Sequence, residues 1–353
     1  MTTPHVLLRP DSSPQAGLGH VQRCLALAAG IREAGASASF AVPDAVSVRQ
    51  RIEGWGFAVD QLDDALDASE LAARATASGA STIVIDSYAT GLAFQRHLGL
   101  TGIPLVVLDD HAAEPVHAEL CINGGAHAAG LPYVSGPGGT RFLLGPDYVL
   151  LRPELWDIGP VEPGCSVDNV LITVGGSDQH KLAPELLNAL DAVDDPFAIT
   201  VVRGPYFGDP HPLDVAVAAI TARGRRHVRV LEAPTAFTSE MQAAGLAVSA
   251  AGQTLHELIR LGVPTIGLEV ADNQRGPLAA LAAAGAIRSA GPPAESGLPA
   301  RVAAITTELC RNRSARHSLG ELAGTFLDGQ GARRVAAAVL ALTHYSAPRS
   351  QTP

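Results

Sequence analysis

Lysine occurs only once in the 353 residues, at position 181, although Lys and Arg together number 25, so arginine carries almost all the positive charge. A lysine nucleophile or a phosphate-loop lysine therefore has one candidate. Cysteine is scarce as well. Cys24, Cys121, Cys165 and Cys310 lie far apart with no C-x-x-C pair, which argues against zinc and against a disulfide framework and fits a reducing cytoplasm. Cys24 reads as a small core residue rather than a reactive thiol. No window holds the ~18 uninterrupted apolar residues of a membrane span. The N-terminal stretch has no basic start, apolar centre and cleavage site, so a soluble, cytoplasmic protein is expected. A formal charge of -10 removes the basic face that nucleic acid or an anionic membrane demands of its partner. A small anionic ligand stays open, because helix N-termini and a few arginines bind phosphate locally.

What the chain does have is alternation. Short β-rich runs alternate with Ala/Leu-rich stretches of helical period, the pattern of βαβ units and a mainly parallel sheet. Strands are expected at His5–Leu8, Ala38–Val42, Thr82–Asp86, Leu105–Leu108 and Glu119–Ile122, then at Val170–Val174, Ala198–Val202, Val228–Leu231, Leu246–Ser249 and Thr265–Glu269. Val21, Cys24, Leu25, Ala28 and Ile31 share one face of a helix that follows His20. From Pro153 to Pro163, "PELWDIGPVEP" breaks the period and reads as a linker. The expected architecture is α/β: two Rossmann-like, doubly wound domains, 1–158 and 159–344, facing a central cleft with ligands at the carboxyl ends of the strands. The polar tail 345–353 is expected to be disordered.

Each half opens with a strand running into a glycine turn. In "AGLGHVQRC", Gly17 and Gly19 permit a sharp turn and close approach of a ligand, and His20 falls in the first turn of the helix. The positive end of the helix dipole disfavours a protonated ring there, leaving a neutral imidazole available as a base. A loop histidine bonded to a neighbouring carbonyl is the plainer reading of so short a motif. In "VGGSDQH", Gly175 and Gly176 let the chain approach a ligand, and Ser177 or Asp178 can cap the next helix; a simple β–α turn explains the same letters.

In "SAAGQTLHELIRLGVP", Gly252 permits a turn, Thr254 can cap, and Leu255, Leu258 and Ile259 form a buried face with Glu257 on the other side. Thr254 and Glu257 fit a capping box, which needs no ligand. Alternatively, free amides at 252–255, including that of Gln253, hold a diphosphate while Glu257 accepts from two ribose hydroxyls. Asn273 and Gln274 in "EVADNQ" are amides suited to sugar hydroxyls. Tyr88 in "VIDSY" can stack or hydrogen-bond at a strand end, or simply pack. "LDDH", 108–111, reads as a loop rather than a metal site.

The order of these motifs carries more than any one of them. "RPDSSPQAGLGHVQRCLALAAGIREAGASASF", "VIDSY", "VVLDD", "LLGPDYVLLRPEL", "VLITVGGSD", "SAAGQTLHELIRLGVPTIGL" and "ADNQ" resemble, in sequence and order, the UDP-sugar hydrolases of pseudaminic acid synthesis and related spore-coat polysaccharide proteins. The resemblance spans nearly residues 5 to 290. It implies the paired domains of GT-B glycosyltransferases, a nucleotide held mainly by the second domain, His20 as catalytic base with Tyr88 and Asn273 as further catalytic residues, and Tyr88, Asn273 and Gln274 near the sugar and diphosphate. Arg23, in the same motif, is carried over as substrate-binding. The chain departs from the pattern at Ser87, where a histidine is common, at His256, where a tryptophan is common, and at "AAGQT", where "GGST" is usual.

The implied chemistry is hydrolysis of a UDP-activated amino or deoxy sugar with inversion. His20 takes a proton from water and UDP departs from the opposite face, its charge met by helix-start amides and with no metal or cofactor called for. The alternative is an inverting glycosyltransferase in which an acceptor hydroxyl or amine replaces water. A non-catalytic nucleotide-sugar binder is the third reading.

Overall fold

A computed structural model describes residues 3–12, 18–162, 164, 166–178, 180–234, 237–292 and 297–343. Gly17, Cys165 and the tail 345–353 lie outside the described residues. The chain divides into two compact units, Met1–Pro153 with Gln330–Pro353, and Glu154–Gly329.

The first unit is built on β1 (His5–Pro10), β2 (Ser37–Pro43), β3 (Ala58–Leu62), β4 (Thr82–Asp86), β5 (Leu105–Leu108), β6 (Leu120–Asn123) and β7 (Arg141–Leu144), with helices α1 (Gly19–Glu33), α2 (Val46–Gly54), α3 (Ala68–Ala77) and α4 (Leu92–Gly99). The strands pair in parallel in the order β3-β2-β1-β4-β5-β6-β7. The order reverses between β1 and β4, and such a reversal opens a crevice at the carboxyl ends of the two strands. Pro10 stands beside Asp86 in that register, and the Asp11 N–H donates to the Asp86 carbonyl at 2.7 Å.

The second unit comprises β8 (Asn169–Thr173), β9 (Ala198–Arg203), β10 (Val228–Glu232), β11 (Leu246–Ala250), β12 (Thr265–Leu268) and β13 (Arg288–Ser289), with α5 (Leu182–Asp191), α6 (His211–Arg223), α7 (Phe237–Gln242), α8 (Gln253–Arg260), α9 (Arg275–Ala283), α10 (Leu298–Arg311) and α11 (Arg313–Phe326). Its parallel order is β10-β9-β8-β11-β12-β13, reversing between β8 and β11. The ten expected strands are present with ends shifted by a few residues at most, and β3, β7 and β13 are additional.

Two features differ from the sequence expectation. The last helix, α12 (Gly331–Leu342), which the sequence reading places in the second domain, belongs to the first unit and packs on α1. A Cβ at Gly30 would stand 2.9 Å from the Ala332 carbonyl oxygen, so the two backbones approach closely there. With the sheet on one side and α12 on the other, α1 is buried from His20 to Ile31 apart from the partly exposed Arg23, well beyond the single face its period suggests. The segment after Pro153 is not a free linker. Leu155 and Trp156 are buried, and Arg260 donates to the carbonyls of Leu155 (3.0 Å), Trp156 (3.3 Å) and Ile158, tying the stretch to the second unit.

Candidate active site

In the first unit, the functional side chains collect at the crevice between β1 and β4. His20 is the second residue of α1, and its Nδ1 lies 2.5 Å from Oδ1 of Asp86, the last residue of β4. Arg23, one helical turn on, donates from Nε to Asp86 Oδ2 (2.6 Å) and from Nη2 to Asp86 Oδ1 (2.5 Å), a bidentate clasp. Its remaining amino group reaches Asp110 Oδ2 at 2.8 Å, and the Tyr88 hydroxyl donates to that same oxygen at 2.7 Å. The Tyr88 ring meets His20 edge to face with centroids 4.6 Å apart, and the His111 ring centroid lies 4.4 Å from that of Tyr88. Cys24 completes the set with a long 3.6 Å contact from Sγ to Asp86 Oδ2.

Charge decides the protonation states. Burial alone would push the Asp86 carboxyl up, but the Arg23 and His20 charges and hydrogen bonds outweigh it and hold Asp86 well below the usual carboxylate range. Asp110 is held below its ordinary value in the same way, burial being outweighed by Arg23 and the Tyr88 hydrogen bond. Burial and the neighbouring Asp110 charge push the Tyr88 phenol well up, so it stays protonated as a donor. Burial and the Asp86 charge likewise push the Cys24 thiol up, which excludes a resting thiolate and agrees with a core role.

For the neutral His20 ring an ionised Asp86 selects one tautomer, with the hydrogen on Nδ1 and the lone pair on Nε2. Among the described residues Nε2 has no hydrogen-bond partner, and His20 is 5 % exposed. The ring is oriented by a buried carboxylate, and the plain alternative of a loop histidine bonded to a backbone carbonyl does not describe it. Gly19 serves differently from the sequence expectation. It is the first helical residue and its φ is not positive, so the chain does not turn on it, yet no atom lies within 4 Å of where its Cβ would stand.

In the second unit the glycine turn follows β8. Gly175 has φ +90°, which a side chain would resist. The Gly176 carbonyl accepts from Tyr206 N–H at 2.9 Å, and a Cβ on Gly204 would stand 2.4 Å from the Gly176 Cα, so the loops after β8 and β9 are fastened together. Of the two capping candidates, Asp178 is the one used: it accepts from Leu182 N–H (2.8 Å) and Ala183 N–H (3.0 Å), while burial lifts its carboxyl. Ser177, Asp178, Lys181, Tyr206, Phe207 and Leu213 help line a pocket of about 310 Å³ beside the turn.

At α8 the cap is Gly252 rather than Thr254, which lies inside the helix, so the capping box does not form as expected. The Gly252 and Leu255 N–H groups are bonded to the Ala250 and Gly252 carbonyls, so not all four amides of 252–255 remain for a ligand. Glu257 is fully buried instead of facing outward, because α8 is covered by α11 as well as by the sheet. Asn273 is exposed on the turn after β12, whereas Gln274 spends its Oε1 on the Val270 N–H at 2.9 Å.

The sequence reading missed Asp86, Asp110, Tyr206 and Phe207 as site residues. An acidic residue closing a strand is the available signal for the first, but the strand order that brings it to His20 is not written locally. "LDDH" is indeed a loop, with Asp109 accepting from His111 N–H at 2.8 Å, and Asp110 within it belongs to the His20 cluster.

Among the described residues no helix is long and apolar enough to cross a membrane. No family model matches the chain. It is 24 % identical to an uncharacterized protein of Methanocaldococcus jannaschii over 273 residues, 75 % of this chain and 55 % of that one. It is 29 % identical to the spore coat polysaccharide biosynthesis protein SpsG of Bacillus subtilis over 140 residues, 39 % of this chain and 40 % of SpsG. The chain thus spans about half or less of the length of these curated relatives. Among solved structures, MurG of Acinetobacter baumannii superposes with a TM-score of 0.70 at 16 % identity, covering 96 % of this chain and 99 % of MurG. A complex of Staphylococcus aureus MnaA with UDP gives 0.68 at 12 % identity, covering 99 % and 100 %. The fold is GT-B-like, with two parallel-sheet α/β units.

Proposed function

We propose that the protein is an inverting enzyme acting on a UDP-activated sugar. The observation that carries this reading is the His20–Asp86 pair: a buried carboxylate 2.5 Å from Nδ1 leaves Nε2 as the ring nitrogen open to take a proton, at a strand-order reversal. In the proposed step an O–H or N–H nucleophile gives its proton to His20 Nε2 and bonds the anomeric carbon. The bond from that carbon to the diphosphate oxygen breaks on the opposite face, and UDP leaves carrying the electron pair. The second unit supports the nucleotide half of the reading with the fastened Gly175–Gly176 turn, the start of α8 and the exposed Asn273. Gly252, Gln253, Thr254, Glu257 and Gln274 are proposed to help bind it.

Of the two nucleophiles, we place an acceptor ahead of water. The fold, which the calicheamicin glycosyltransferase CalG4 also has, favours sugar transfer, whereas hydrolysis rests on the motif resemblance to the pseudaminic acid pathway enzymes. Measuring UDP release from a panel of UDP-sugars with and without acceptors separates them. Release only in the presence of an acceptor supports transfer, rapid release from donor alone supports hydrolysis, and no release from any donor under either condition rejects the proposal.

A further inference from the structure

The proposed chemistry uses His20 and the diphosphate site but leaves one part of the cluster without a task. Asp110 receives two donors on a single oxygen, Arg23 at 2.8 Å and Tyr88 at 2.7 Å. All three nitrogens of the Arg23 guanidinium are engaged: two clasp Asp86 and the third holds Asp110. The carboxylates are therefore joined through one guanidinium, and the far one anchors the ring that lies 4.6 Å from His20. Without that anchor Tyr88, about half exposed at 46 %, has an open side on which to turn.

We infer that Asp110 is a positioning residue, which through Arg23 and the Tyr88 hydroxyl holds the Tyr88 ring against His20 and so adds a second constraint on the imidazole beside its contact with Asp86. Among the described residues, polar contact reaches the imidazole only at Nδ1, from Asp86 at 2.5 Å and more weakly from Arg23 Nη2 at 3.3 Å, and the Tyr88 ring supplies a separate edge-to-face contact. One hydrogen bond alone leaves a ring free to swing about it, and a displacement of the order of 1 Å at a reacting group costs about 100-fold in rate. Tyr88 itself moves no proton here: its hydrogen is committed to Asp110 and its phenol is pushed up, so the ring serves as a wall. A network of this kind acts as a unit, and deleting any member exposes the others. The arrangement draws on β4, β5 and α1, all in the first unit.

This inference rests on the proposed function for its kinetic part, so the test pairs turnover with a measurement that needs no substrate. UDP release is followed in wild type, Asp110→Ala, Asp110→Asn, Tyr88→Phe and the Asp110→Ala/Tyr88→Phe double variant, and the His20 ring-proton shifts are read by NMR in each. The ring current of a Tyr88 held 4.6 Å away marks those shifts. Asp110→Ala and Tyr88→Phe each lower kcat about 10-fold with KM held within about twofold, and both move the His20 shifts the same way. The double variant is no worse than the poorer single one, the mark of residues acting through one contact. Asp110→Asn keeps an oxygen for both donors and recovers most of the turnover and the shifts. If Asp110→Ala and Tyr88→Phe leave kcat within about twofold of wild type, or if their losses multiply in the double variant, the inference fails. If wild type releases UDP from no donor, the proposed function fails and the shifts alone decide the inference: unmoved shifts in both single variants overturn it.

Discussion

Nδ1 of His20 and Oδ1 of Asp86 lie 2.5 Å apart although 66 positions separate the two residues in the chain. The pairing follows from strand order. β4 is laid beside β1 rather than beside β3, so the residue closing β4 arrives at the start of the helix that β1 leads into. Asp86 also carries the Arg23 clasp, which makes it the most heavily used acceptor in the first unit's site.

Replacing that carboxylate separates its two roles. Asp86→Asn keeps the shape but removes the fully buried counter-charge that Arg23 clasps with two nitrogens, leaving it Asp110 alone, and breaking a buried pair costs about 3 kcal/mol. Urea unfolding followed by circular dichroism should show a loss of that size. UDP release should fall by about 100-fold or more, since the imidazole loses the partner that sets its tautomer. Unchanged turnover in Asp86→Asn would remove the orienting role.

Acid should act on the same pair. Asp86 and Asp110 both have folded-state values below the ordinary carboxylate value, which is about 4 in the unfolded chain. The unfolded state thus binds the more protons as pH falls. Their contribution to stability is complete above about pH 4 and is lost progressively as pH drops from there through the lower folded-state values. The urea midpoint of wild type should therefore fall between pH 5 and pH 3, by the sum of many carboxylates, and fall less steeply in Asp86→Asn. An equal slope in the two proteins would show that Asp86 is not depressed in the folded state.

The glycine pair in the second unit offers a steric test. A Cβ on Gly204 would run into the Gly176 backbone at 2.4 Å, and backbone cannot yield as a flexible side chain does. Gly204→Ala should cost about 1–3 kcal/mol and loosen UDP, because the turn proposed to hold the diphosphate is displaced. Gly208→Ala, in the same loop with nothing within 4 Å of its Cβ, should stay within about 0.5 kcal/mol of wild type. Thermal melts and titration calorimetry with UDP read both. Equal behaviour of the two variants would contradict the fastened-loop account.

The central strands of both sheets were legible because they are continuous apolar runs, as strands buried on both faces must be. The three additional strands lack that mark. In β3, Ala58–Leu62, only Leu62 is buried, and β13 is a two-residue exposed pair at a sheet edge. The placement of α12 was not legible, since its partner α1 lies some 300 residues earlier and its period shows only that one face seeks a neighbour. Within the site, His20 stood out through the glycine beside it and its place at a helix start. Asp86 and Asp110 did not, because each gains its meaning from a side chain that the sheet topology delivers. Glu257 shows the converse: its helical phase suggests an outward face, but it is fully buried on a helix packed against both α11 and the sheet.

The central claim is that His20 is the base. His20→Ala should lower UDP release by about 10²- to 10⁴-fold, the usual worth of a positioned base, while UDP binding measured by calorimetry stays nearly unchanged. Wild-type turnover in that variant, or a loss of activity matched by an equal loss of UDP affinity, would contradict it.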